Sequence, residues 1–153
     1  MMWTLGSLTV LVLTALLLGT TFAHVLEAPA KFQYDAAQWV FAQQNLYRSF
    51  ASIGGAIELS AIAATIGYAF LLRNDASFVW AIVAAVLIAM AFAVWVFVTA
   101  SVNARVETWS LDAIPTEWRS LRMQWEYSHI VRWVAHLVGF ISLATAALRT
   151  QDS

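Results

Sequence analysis

The chain has 153 residues, of which 61% are hydrophobic and 11% are charged, whereas charged residues make up about 25% of an average soluble domain. Apolar residues come in unbroken blocks, so the sequence predicts a membrane protein with lipid as its main solvent. The net charge of −1 gives no attraction for nucleic acid, and the lack of cysteine excludes disulfides, thiolate metal ligands and cysteine nucleophiles.

Four stretches of the chain meet the requirement of about 20 predominantly apolar residues for a membrane-spanning helix. They lie at about residues 3–26, 50–72, 78–102 and 126–148. The first stretch is too long for a signal peptide and lacks its basic start, although Ala28-Pro29-Ala30 resembles a cleavage site. The sequence therefore predicts one all-α integral membrane domain over residues 1–153, an antiparallel bundle of four transmembrane helices.

The connections between these spans differ in length. Residues 73–76 form a tight turn, whereas residues 27–49 and 103–125 form two longer segments rich in Trp, Tyr and Phe. Because spans alternate in direction, both long segments lie on the same side of the membrane, where their composition predicts interfacial helices or caps. Pro115 and the residues after it predict that a helix begins near Trp118 and runs into the fourth span.

The basic residues predict the orientation of the bundle. The side with the long connections carries five of them: Lys31, Arg48, Arg105, Arg119 and Arg122. The opposite side carries Arg73 and Arg149. The positive-inside rule then places the long connections in the cytoplasm and both termini outside, in a plasma (inner) membrane.

Polar residues inside the spans converge on one end of the bundle. An ionisable group in hydrocarbon is costly unless it is paired, so each one needs a partner or a purpose. His24 and Glu27 end the first span on one helix face, Glu58 lies about two turns into the second, and Asn103 leaves the third. The fourth span carries a stripe of polar residues at helical spacing: Glu126, His129, Arg132 and His136. This placement predicts a shared internal site.

Structural explanations compete with that prediction. Glu58 and Arg132 have similar depths on different helices, so they can form a neutralising ion pair. His136 can be satisfied by a backbone carbonyl or by Ser60 or Thr65. Trp125 suits packing as well as stacking on a ligand, and Lys31 and Arg48 are expected to contact lipid headgroups.

Three kinds of chemistry fit the site. The first is a transition metal such as iron or copper, because carboxylate and imidazole pairs at i, i+3 spacing resemble di-iron bundles. Its candidate ligands are His24, Glu27, Glu58, Glu126 and His129. The second is haem held by two histidines, such as His24 with His129 or His136, with Trp125 beside it. The third needs no cofactor, and a histidine or carboxylate acts as a general base on an apolar substrate.

Three segments of the second half of the chain resemble the anthrone-oxygenase-like family of small four-span membrane proteins. The first segment runs from Val102 through Asn103 to Trp109, and the second runs from Trp118 to Arg122. The third is Trp125-Glu126-Tyr127-Ser128-His129-Ile130-Val131-Arg132. Family members end the third helix at an asparagine and open the fourth with a tryptophan, a histidine and an arginine at this spacing.

The resemblance implies an oxygenase that converts anthrones to anthraquinones without a conventional organic cofactor. The residues carried over from the family pattern are Asn103, Trp125, His129 and Arg132. In this hypothesis His129 removes a proton next to an aromatic ketone, and Arg132 and Asn103 stabilise the anion. Glu58 joins the catalytic candidates because of its depth.

A non-enzymatic role is the alternative. Small four-span bundles also act as accessory or scaffold subunits, and small residues on the second span permit close contact with another helix or a second copy of the chain. These residues include Gly54, Gly55, Ala61 and Gly67. The predicted partners are therefore the lipid bilayer, a small hydrophobic molecule, and a second copy or another membrane subunit.

Overall fold

The structure, a computed structural model, describes residues 2–150, and the side chains of residues 5–48 and 50–150. Within these residues the chain is all-helical, with no strand. The helices are α1 (Met2–Lys31), α2 (Ala36–Asn45), α3 (Arg48–Leu71), α4 (Phe78–Val94), α5 (Ala100–Val106) and α6 (Trp118–Arg149). A π-helical turn (Trp95–Thr99) joins α4 to α5 without a break. The predicted fold class is confirmed.

Four of the helical segments are long and apolar enough to cross a membrane. They are Leu5–Lys31, Phe50–Leu71, Phe78–Val106 and Trp118–Arg149. Large apolar side chains cover their outer surface, among them Phe97, which is 78% exposed, and Leu5, which is 68% exposed. Such a surface is unfavourable in water and suited to lipid, as expected of a multi-pass integral membrane protein.

The bundle is closed by contacts between successive helices. α1 packs against α3 and α6, and α4 packs against the same two helices from the other side. Small residues such as Ala61, Ala84 and Ala146 are fully buried in the core between them. At Gly139 an added Cβ would lie 3.4 Å from the Ile88 side chain, so glycine brings α6 close to α4.

The tight turn between α3 and α4 lies at the end of the bundle opposite the long connections. The Ser77 backbone N–H donates a hydrogen bond of 2.6 Å to the Asp75 carboxylate. This hydrogen bond holds the pKa of Asp75 below its usual value, because it favours the charged form. The turn at residues 73–76 is thus stabilised locally by its own polar residues.

The two long connections meet at one end of the bundle. α2 begins with a capping box in which Asp35 and Gln38 bond reciprocally to each other's backbone N–H. The Gln44 amide then donates to the Val106 and Trp109 carbonyls, both at 2.9 Å. A second apolar cluster that includes Trp39, Val102 and Leu121 lies beneath them. One connection contains the expected helix, whereas residues 107–117 of the other form turns.

The end of α1 differs from the sequence prediction, whereas the start of α6 agrees with it. α1 continues to Lys31 although hydropathy placed its end near residue 26, and Pro29 lies within its last turn. Pro29 removes one hydrogen bond near the helix end, where the cost is small because few further turns depend on it. α6 begins at Trp118, as predicted from Pro115. Hydropathy marks only the apolar part of a helix, so it misses polar turns that extend beyond the lipid.

Candidate functional site

The polar stripe predicted on the fourth span is buried. Glu126, His129, Arg132 and His136 all face the bundle interior, each with 5% or less of its surface exposed. Each meets side chains from other helices, and together they form three layers along α6. The convergence of polar groups at one end of the bundle is therefore present in the structure.

The deep layer is centred on Glu58 of α3. Arg132 donates to one carboxylate oxygen at 2.7 Å, and His136 Nε2 lies 3.2 Å from the other. His136 Nδ1 is 3.3 Å from the Thr21 hydroxyl. The predicted Glu58–Arg132 ion pair is present, and His136 is satisfied by Glu58 and Thr21 rather than by Ser60 or Thr65. Both oxygens of Glu58 are therefore engaged by partners on α6.

The middle layer consists of aromatic rings in tilted contact. The His24 and His129 ring centroids are 4.0 Å apart, and the Trp125 and His129 centroids are 4.2 Å apart. Neither ring nitrogen of His129 has a hydrogen-bond partner in the described part of the chain. A buried imidazole without partners is unusual, because unmet hydrogen bonds cost free energy. This makes His129 the clearest functional candidate.

The outer layer is held by Lys31. Its ammonium nitrogen lies 3.0 Å from Glu126 and 3.7 Å from Glu27. It also lies 4.5 Å from the centre of the Trp125 ring, within cation–π distance. The expectation that Lys31 contacts headgroups is wrong, because α1 continues past Pro29 and directs this side chain toward α6. Arg48 remains exposed and pairs with Glu107 at 3.8 Å.

Tyr47 closes the layer from the first connection. Its hydroxyl donates a hydrogen bond of 2.5 Å to Glu27, whose side chain is 45% exposed. Burial raises the pKa of Tyr47 above its usual value, and the hydrogen bond to Glu27 raises it further. The phenol therefore stays protonated and remains a hydrogen-bond donor.

Asn103 and the π-helical turn position Trp125. The Trp125 indole N–H donates to Asn103 Oδ1 at 2.8 Å. Thr99, in the π-helical turn, is 2.8 Å from the Ser128 hydroxyl, and that hydroxyl donates to the Trp125 carbonyl at 2.7 Å. π-helical turns inside α-helices are frequent at functional sites. Here the turn connects the third span to Trp125, whose ring contacts His129.

A small cavity, which we call the inner cavity, lies against the middle layer. The space in which the centre of a water-sized sphere can lie has a volume of about 40 Å³. One water needs about 10–15 Å³ on that measure. It therefore admits a few atoms. The side chains that carry its chemistry are His24, Tyr47, Asn103, Trp125, His129 and Arg132. Neither Glu58 nor His136 is among its described lining residues.

The proposed metal ligands do not come together as one cluster. Within residues 2–150 no group of three or more His, Asp or Glu side chains is arranged to hold a metal ion. Glu58 is bound to Arg132, Glu126 is bound to Lys31, and Glu27 accepts from Tyr47. This leaves His24 and His129 as a pair of imidazoles, too few for the site that their spacing suggested.

Haem does not fit this arrangement either. Two axial histidines must approach iron from opposite faces of a porphyrin. The His24 and His129 rings are already in contact at 4.0 Å between centroids, and the adjacent cavity holds only a few atoms. His136 is engaged by Glu58 and Thr21. No porphyrin can be placed between these rings without separating the helices.

Comparisons of the chain with known proteins found no match. No family model, no curated protein and no solved structure matches the chain. The resemblance of the second half of the chain to anthrone oxygenases therefore remains a hypothesis based on its own residues.

Several residues of the site were not anticipated from the sequence. Lys31 and Tyr47 lie in the predicted first connection, residues 27–49. The composition of that segment predicted only an interfacial position. Thr21, Trp95 and Thr99 are ordinary residues of apolar spans, and the π-helical turn that presents Trp95 and Thr99 has no marker in the sequence. One signal was available, since Lys31 follows Glu27 at i, i+4, a spacing typical of paired side chains on a continuing helix.

Proposed function

We propose that this protein is a membrane-embedded oxygenase that acts on a small hydrophobic aromatic ketone at the inner cavity. The observation that carries the proposal is His129, a buried imidazole without hydrogen-bond partners in the described residues, which lines a cavity. A general base must reach the proton that it removes and must have a free nitrogen lone pair. Both ring nitrogens of His129 are free of partners among the described residues, and its side chain lines the cavity.

The groups around His129 suit the anion that proton removal would create. Loss of a C–H proton next to an aromatic ketone puts negative charge on the ketone oxygen. Arg132 lines the cavity, and its Nε has no partner in the described chain, although its Nη2 is committed to Glu58. The side-chain oxygen of Asn103 accepts a hydrogen bond from the Trp125 indole. The amide N–H group of Asn103 therefore remains to donate to the anion. Preorganised donors of this kind lower the barrier to anion formation.

The oxygen step can proceed from this anion without a metal. The carbanion supplies the electrons that reduce dioxygen, and a C–O bond forms to give a peroxide. The imidazolium of His129 returns its proton to the distal oxygen, and loss of water leaves a second carbonyl. A CH₂ group and O₂ thus become C=O and H₂O, in which carbon is oxidised and dioxygen reduced. The inner cavity admits only a few atoms, so the rest of the substrate must lie outside it.

A scaffold role is the second candidate, and one observation favours it. An added Cβ at Gly54, Gly55 or Gly67 of α3 would meet nothing within 4 Å. Gly54 and Gly55 line the inner cavity, whereas Gly67 is exposed toward the other end of α3, and a helix of another subunit or a second copy could pack at Gly67. The Glu58 and Lys31 pairs would then serve only to set helix register.

The location is part of the same proposal. We infer an inner plasma membrane, with the long connections and the inner cavity near the cytoplasmic side and the turn at residues 73–76 outside. The support is the distribution of Lys and Arg between the two ends of the bundle.

Oxygen consumption tests the proposed reaction. We expect purified protein in nanodiscs to accelerate O₂ uptake with anthrone above the protein-free rate, and His129→Ala to lower that acceleration about 100-fold or more. Val131→Ala is the matched control, because Val131 lies on the same helix and is 55% exposed. Circular dichroism should show equal helix content in all three proteins. Uptake that matches the protein-free rate, or that survives His129→Ala, would contradict the proposal.

A further inference from the structure

A second, larger cavity lies beside the inner cavity. This outer cavity has a volume of about 280 Å³ on the same measure. It lies where the end of α2, the start of α3 and α5 meet. Three residues line both cavities, Tyr47, Ala51 and Asn103. The two cavities are therefore neighbours that share one wall.

The outer cavity has the surface of a ligand site. Most of its lining surface is apolar, and three of its nine lining residues are Ala51, Ala104 and Val106, whereas the other six carry polar groups. Binding sites for small molecules typically combine an apolar lining with a small number of placed polar groups. Its rim carries the exposed ion pair of Arg48 and Glu107, which suggests that the cavity opens toward the polar face of the bundle.

Gln43 is the residue of this lining whose amide a ligand can engage, once the side chain turns toward the cavity. It lines the outer cavity, and its amide nitrogen is buried without a hydrogen-bond partner in the described residues. The adjacent Gln44 also lines the cavity, but its amide nitrogen already donates hydrogen bonds to the Val106 and Trp109 carbonyls. An unmet buried donor costs free energy unless a ligand atom accepts from it.

We propose that the outer cavity is the binding subsite for the body of an aromatic ketone or phenol, with the Gln43 amide donating to an oxygen of that ligand. This inference rests on the proposed function, since it assigns a place to the part of the substrate that the inner cavity cannot hold. Tyr47, Ala51 and Asn103 form the boundary across which the reacting carbon approaches His129. Specificity for an oxygen-bearing ring follows from Gln43, because a hydrocarbon leaves its amide unpaired.

A single introduced cysteine makes this subsite measurable without turnover. The chain has no cysteine, so Ala51→Cys places one thiol on the shared wall. We expect 1-tetralone, a bicyclic aromatic ketone, to slow the reaction of that thiol with N-ethylmaleimide. Ser110→Cys, on the exposed second connection, should react at the same rate with and without the ketone.

Gln43→Met in the Ala51→Cys background tests the hydrogen bond. Loss of one hydrogen bond should raise the 1-tetralone concentration for half-protection about three- to tenfold. Tetralin has the same ring skeleton without the oxygen, and its half-protection should not change. Gln44→Met is the matched control, and it should not change the half-protection concentration of 1-tetralone relative to that of tetralin. Absence of protection, or an equal shift for both probes, would overturn the subsite.

The two proposals fail in different ways. Protection by 1-tetralone that depends on Gln43, together with no anthrone-dependent O₂ uptake, would keep the subsite and reject the oxygenase. Uptake that is lost in His129→Ala, together with no protection at Ala51→Cys, would keep the oxygenase and reject the subsite.

Discussion

At the scale of single residues, the partners of each polar group decide its role. Glu58 and His129 lie within about one turn of the same Arg132, and both are buried. Glu58 has two partners across helix interfaces, whereas His129 has none among the described residues. Both residues are ionisable and buried, so their contacts distinguish the carboxylate that holds Arg132 and His136 from the candidate base.

The Glu58–Arg132 pair gives a prediction at this scale. Glu58→Leu leaves Arg132 and His136 without their acceptor, and we expect it to lower the free energy of unfolding by about 3–5 kcal/mol. The double variant Glu58→Leu/Arg132→Met removes both charges, so its thermal stability in detergent should recover toward that of the parent protein. Oxygen uptake should stay lost, because Arg132 lines the inner cavity.

Each part of this result can be contradicted separately. A double variant no more stable than Glu58→Leu would show that the two charges do not interact strongly. A stable double variant with normal oxygen uptake would show that Arg132 sets helix register and takes no part in the reaction.

At the scale of helices, the π-helical turn determines which face of the third span reaches the site. An α-helix advances 100° per residue, so one additional residue in a turn changes the relative rotation of α4 and α5. Trp95 and Thr99 come from the turn itself and Asn103 from the helix after it, and all three line the inner cavity. Their spacing of four residues places all three on one helix face, and the wider turn sets how that face is rotated relative to α4.

Deletion of Phe97 tests this role of the turn. Phe97 is 78% exposed, so its removal shortens the turn with little loss of packing. We expect a regular helix, with Asn103 rotated away from Trp125 and oxygen uptake reduced at least tenfold. Phe97→Ala keeps the residue count and should retain both uptake and helix content. Normal uptake after the deletion would mean that the register of this span is unimportant to the site.

At the scale of the whole molecule, the position of both long connections at one end is an observed feature, and their cytoplasmic location is the prediction. Single cysteines can be introduced at Asn45, Ser110 and Asn74, because the chain has none. In intact cells a membrane-impermeant maleimide should label Asn74→Cys alone, since charged loops with excess Lys and Arg stay inside. Permeabilised cells should give labelling at all three. Labelling of Asn45 and Ser110 but not Asn74 in intact cells would reverse the orientation.

Much of this architecture follows from the sequence alone. Runs of apolar residues determine four membrane-spanning helices, because the thickness of the hydrocarbon layer sets a minimum length that few soluble segments reach. The spacing of Glu126, His129, Arg132 and His136 determines a single polar stripe, because helical periodicity is a property of one segment. The Glu58–Arg132 pair was also predictable, since equal depth on two helices left few other partners.

Only the tertiary structure decided how the helices rotate and which side chains meet. It buried Lys31 against Glu126 and Trp125, brought the His24 and His129 rings into contact, and directed the Tyr47 hydroxyl to Glu27. It also divided the expected metal ligands among separate pairs. Such contacts depend on the rotation and spacing of neighbouring helices, which packing between them sets, and hydropathy and periodicity describe one helix at a time.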